Sequence, residues 1–91
     1  MNIEESLKRM LSIAVRSAKA NEVMELIGFS SSPFFEIYGE AADAIFFLIG
    51  DRADRFENSV TYRALHEESL SEKERLEILM NEYKRNKGEA A

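Results

Sequence analysis

Apolar residues Ile3, Leu7, Met10, Leu11, Ala14 and Ala18 recur at spacings of three and four. That interval returns a helix to the same side, so the first twenty residues are predicted to form an amphipathic helix. At about 100° per residue, Val23, Met24 and Ile27 fall on a different side of that wheel, which predicts a kink or a new start near Asn21, a residue type suited to an N-cap. Gly28 then ends the helix as a left-handed residue would, with Phe29 placed to contact Met24 across a Schellman turn.

Ser32 followed by Pro33 sets an N-cap beside a first-turn proline, and Glu36 suits the positive end of the helix that follows. This second helix is predicted from Pro33 to just before Gly50. Its apolar residues, from Phe34 and Phe35 to Leu48 and Ile49, cover an arc of about 200°. That is wider than one contact requires, and it makes residues 33–49 the predicted central element. A third, weaker helix is expected from about Arg52 to His66, with Asp51 as its cap and Ala53, Phe56, Val60 and Ala64 on one side. The sequence leaves open whether it joins the second helix in one bent element. For the fourth, Ser71 and Glu74 form a capping box ahead of Leu76, Leu79, Met80 and Tyr83. Lys84, Arg85 and Lys87 suit its C-terminal end, and residues 87–91 are expected to fray. With no sustained alternating pattern, the expected fold is all-α: a small bundle of three to four helices in one domain, residues 1–91.

Composition narrows the setting. Of the 91 residues 45% are apolar and 32% charged, with one Pro and four Gly, the balance of an ordered helical domain. The absence of Cys excludes a disulfide framework, a thiolate metal site and a Cys nucleophile. The first residues, MNIEESLKRMLSIAV, lack the basic, apolar, small-residue layout of a secretory signal, so a cytoplasmic location is expected. The longest apolar run, Ala44 to Gly50, is about a third of the roughly 20 residues that a bilayer-spanning helix needs, so no membrane segment is expected. Charge is uneven: the net value is −5, and no basic residue lies between Lys19 and Arg52, while Glu22, Glu25, Glu36, Glu40, Asp43 and Asp51 all do.

Little in the chain suggests chemistry. Glu36, Glu40 and Asp43 share one helix face, as in a carboxylate metal site, but a di-metal bundle also requires Glu-x-x-His motifs. The single His66 has Arg63 three residues before it. Glu67 and Glu68 adjoin His66 but do not face it on a helix, so no oriented general base results. The serines of GFSSSP lack the G-x-S-x-G elbow, and no glycine-rich phosphate loop is present. No catalytic, cofactor or metal site is expected.

Residues 21–41, NEVMELIGFSSSPFFEIYGEA, resemble a helix-turn-helix: a helix, a Gly with an apolar residue after it, serines, and a second helix. The resemblance implies a DNA-binding regulator as the alternative function. Its recognition helix would carry Glu36, Glu40 and Asp43 and no Arg or Lys, so phosphate contacts would have to come from Lys8, Arg9, Arg16 and Lys19.

Phe47 is the residue out of place. It lies almost opposite Tyr38, between the directions of Glu36 and Glu40, where a solvated face is polar. Two readings fit: the chain buries it on all sides, or it contacts a second chain. On the second reading Gly39, Phe46, Phe47 and Gly50 form the candidate interface, the glycines allowing close approach. Val15, Leu26, Tyr62 and Ile78 also fall off the main stripes, which suggests a core too small for a monomer. The leading expectation is a small non-enzymatic protein–protein interaction or accessory protein that forms a homodimer.

Overall fold

The structure, a computed structural model, describes residues 2–29 and 32–88. The elements are α1 (Ile3–Leu26), α2 (Pro33–Leu48), a 3-10 turn (Phe56–Asn58), α3 (Val60–His66) and α4 (Glu72–Asn86), with no strand among the described residues. This is the expected all-α bundle.

α1 begins where Asn2 Oδ1 accepts the Glu5 amide at 2.8 Å, and Glu4 and Glu5 favour its positive end. It then runs unbroken for 24 residues, which corrects the predicted kink near Asn21. Its sequence holds no Gly or Pro, so nothing interrupts the backbone ladder. Asn21 sits inside the helix, its Nδ2 donating to Glu25 Oε1 one turn later at 3.1 Å. The slip in apolar phase is resolved by exposure: Val23, Leu26 and Ile27 face solvent.

Two Schellman turns end the long helices. At the first, Phe29 N donates to Met24 O at 3.0 Å and Gly28 N to Glu25 O at 3.1 Å, with Gly28 at φ +99°. Across the connection, Ser32 Oγ accepts the Phe34 amide at 3.1 Å and Pro33 opens α2, both as predicted; Ser30 and Ser31 lie outside the described residues. At the second, Asp51 N donates to Phe46 O at 3.0 Å and Gly50 N to Phe47 O at 3.2 Å, with Gly50 at φ +72°. Asn86 of α4 closes that corner by donating to Ile49 O at 2.9 Å, and a Cβ on Gly50 would lie 3.2 Å from the Asn86 Cβ.

The third helix is the main departure from the sequence reading. It starts at Val60 rather than near Arg52, and it is separate from α2. Asp51 is a cap, but at a distance: its Oδ2 accepts the Thr61 amide at 3.0 Å and the Thr61 hydroxyl at 2.9 Å, while its Oδ1 takes the Ala53 amide at 3.3 Å. Ser59 completes the start of α3 by accepting the Tyr62 amide at 2.9 Å and donating to Phe56 O at 2.6 Å. Drawing Asp51 onto Thr61 holds residues 51–55 out of a helix.

α4 has the predicted capping box, with Ser71 Oγ accepting the Glu74 amide at 3.1 Å and Glu74 Oε1 accepting the Ser71 amide at 2.9 Å. The Ser71 amide holds the Glu74 carboxyl below its ordinary pKa. Arg75 Nη1 donates to Ala64 O at 2.7 Å, satisfying the end of α3. Residues 89–91 of the expected frayed tail lie outside the described residues.

The core joins Leu7, Leu11 and Ala14 of α1 to Ala41, Ala42, Ile45 and Ile49 of α2 and its last turn, to Ala64 and Leu65 of α3, and to Leu79 of α4. α2 with its last turn thus supplies the largest share, while α1 packs against each of the other three helices. Val15 and Ile78, off the predicted stripes, pack onto this core from its edge.

Because Thr61 is fully buried, Asp51→Ala leaves an amide and a hydroxyl without partners. The expected loss is about 1–3 kcal/mol of unfolding free energy, read from urea denaturation. An unchanged midpoint would show that the Asp51 cap adds nothing.

Candidate interaction surface

The antiparallel α1–α2 hairpin carries the exposed apolar surface of the protein. Every large apolar side chain that is exposed among the described residues belongs to α1, to α2 or to the turn between them. α3 and α4 cover one side of the hairpin, where Lys8, Leu11 and Ser12 of α1 meet Glu72, Lys73 and Leu76 of α4. The opposite side holds an open groove of about 410 Å³ between Ser6, Arg9 and Met10 of α1 and Ala44 and Leu48 of α2.

The four residues of the predicted interface, Gly39, Phe46, Phe47 and Gly50, differ in exposure. Phe47 is 87% exposed, so it is no part of the chain's own core, and the reading that buries it on all sides is corrected. It stands among Glu40 and Asp43, themselves exposed. Phe46 is half-buried, and Gly39 is half-buried with nothing within 4 Å of where a Cβ would stand. Gly50 is engaged inside the chain, as the left-handed residue of a helix end with Asn86 against it. Tyr62, noted as off its stripe, packs inside the chain, whereas Leu26 is 85% exposed.

A larger apolar patch lies at the turn end of the hairpin, where Val23, Leu26, Ile27 and Phe29 are exposed beside Phe35 and Ile37. The sequence signal for it was the phase slip after Asn21. Beside it runs a cleft of about 210 Å³ lined by Glu22 and Glu25 of α1, Phe35 and Tyr38 of α2, and His66 of α3. Tyr38 and His66 of its lining belong to an aromatic chain: Phe56 meets Tyr62 edge-on at 5.5 Å, Tyr62 stacks on His66 at 4.2 Å, and His66 meets Tyr38 edge-on at 5.6 Å.

Tyr38 Oη lies 2.5 Å from His66 Nε2. Burial, helped by Tyr62, pushes the Tyr38 hydroxyl up to about 12. Burial of one side of the ring lowers His66, Glu22 opposing and Arg75 adding to the effect. Both shifts favour a protonated Tyr38 and a neutral His66, so the contact is a hydrogen bond between neutral groups whose direction follows the imidazole tautomer.

Among the described residues no three His, Asp or Glu side chains are grouped to hold a metal ion, and no helix is long and apolar enough to cross a membrane. No protein-family model, curated protein or solved structure matches the chain.

His66 is the only histidine, so its ring protons give an unambiguous NMR titration. Its midpoint is expected below 6.5, and Glu22→Gln should lower it further by removing a negative charge that favours the protonated ring. The native state binds the His66 proton less readily than the unfolded chain. Stability from this group is therefore present above pH 6.5 and declines as pH falls through the lower folded value. A midpoint above 6.5 would show that burial does not govern the ring.

Proposed function

We propose that this protein is a small, non-catalytic interaction module of the cytoplasm that works as a homodimer and engages another protein. The observation that carries the reading is the one-sided hairpin: its exposed large apolar residues all lie on α1, α2 and their turn, outside the cover of α3 and α4. Contiguous uncovered apolar surface marks association sites in monomer-sized domains. The absence of Cys suits a reducing compartment. At the turn end, acidic Glu22, Glu25 and Glu36 around Leu26, Phe29 and Phe35 favour a partner segment that is itself apolar and basic.

The alternative, a DNA-binding regulator, draws on the Gly-turn pattern of residues 21–41. Here α2 lies back along α1 rather than crossing it, and its exposed face would bring Glu36, Glu40 and Asp43 to a phosphate backbone. A gel shift that survives physiological salt would favour this alternative.

Light scattering is expected to give about twice the chain mass of 10.4 kDa at micromolar concentration. Phe47→Ala should weaken the association with an unchanged helical spectrum, since the side chain is exposed in the single chain and its ring would be lost from the contact between copies. A wild-type monomer at high micromolar concentration would remove the homodimer.

A further inference from the structure

The side of the hairpin away from α3 and α4 has a pattern of its own. On α1, Ser6, Met10, Ile13, Ser17, Ala20 and Met24 recur at alternating spacings of four and three. On α2, Ile37, Ala41, Ala44 and Leu48 do the same. This alternation keeps one seam of a helix facing a neighbouring helix, and neither series contains a charge. The two series meet at the open groove between Met10, Ala44 and Leu48. Ile13 is 47% exposed and Ile37 43%, so both project beyond the chain's own packing, while Ser17 and Ala41 of the same series are buried within it.

Charges border the seam asymmetrically. Along its α1 edge stand Arg9 and Arg16, and along its α2 edge Glu36 and Glu40, all exposed. None of these four takes part in an ion pair within the described chain, where the pairs are Arg55–Glu57 and Arg85–Glu82. The grooves fix the register of the two helices: Ser6 to Met10 lie beside Ala44 to Leu48, and Ala18 to Glu25 beside Phe35 and Tyr38. Arg16 is therefore level with Glu40, and Arg9 with Phe47.

We infer that two copies pack these seams face to face into a four-helix layer, related by a two-fold axis parallel to the helices. The inference rests on the homodimer reading above and specifies its face and its symmetry. An axis parallel to the helices sets α1 of one copy against α2 of the other at the same level. Arg16 then meets Glu40 of the second copy, and Arg9 comes over the exposed ring of Phe47 of the second copy, each contact occurring twice. An axis lying across the helices stacks α1 on α1 and α2 on α2, which sets arginine against arginine and carboxylate against carboxylate. The small side chains of Ala20 and Ala44, neither of them buried, let the two layers approach closely.

A charge exchange on the full chain tests this. Arg16→Glu alone and Glu40→Arg alone should each weaken self-association about tenfold or more in sedimentation equilibrium, because each dimer acquires two like-charge contacts. An equimolar mixture of the two variants should regain wild-type affinity as a heterodimer, since both contacts are then between opposite charges. Single variants that associate like wild type, or a mixture no tighter than its components, would overturn the proposed axis while leaving the homodimer standing. Ile13→Lys supplies a second measurement: it should yield a monomer of unchanged helicity, and a persisting dimer would overturn the face. A wild-type monomer would overturn the homodimer reading together with this one.

Discussion

The Asp51 carboxylate ties together parts of the chain that no helix links. Gly50 turns the backbone out of α2, and Asp51, the next residue, reaches ten residues ahead to the buried Thr61. That contact fixes where α3 begins and so brings Ala64 and Leu65 into the core. Asn86 closes the same corner from α4 by donating to the Ile49 carbonyl. Three helices thus meet at a few polar groups around one left-handed glycine.

Sequence reasoning succeeded where a signal and its effect lie within a few residues of each other. The Ser32–Pro33 start, the Ser71–Glu74 box and the Gly28 stop are local devices, and each stands where the sequence put it. It failed at α3 because Asp51, besides taking the Ala53 amide two residues on, spends its other oxygen on Thr61, ten residues ahead. Ala53, Phe56, Val60 and Ala64 keep a helical interval although residues 51–55 are not helical. At Asn21 the pattern was read correctly and its consequence wrongly: a change of apolar phase can bend a helix or leave side chains in water, and the wheel does not distinguish the two.

The candidate surface was legible in one residue, Phe47, whose place among carboxylates is visible on a helical wheel. The long seam is less legible because half of its residues are Ser and Ala, which carry little apolar signal. Such residues mark a helix face only once both helices are seen side by side. Gly50 shows the converse: a glycine read as room for a neighbour serves the conformation of its own chain.

The hydrogen bond from Asn86 to Ile49 joins residues 37 positions apart, whereas the α1–α2 contacts close across a short turn. Chain closure costs more entropy over the longer span, so the hairpin is the unit that forms readily and the C-terminal corner is the part gained late. The last turn of α4, with Lys84 and Arg85 exposed, holds to the end of α2 through Asn86. Local opening there would release the end of α2 while leaving the rest of the hairpin paired.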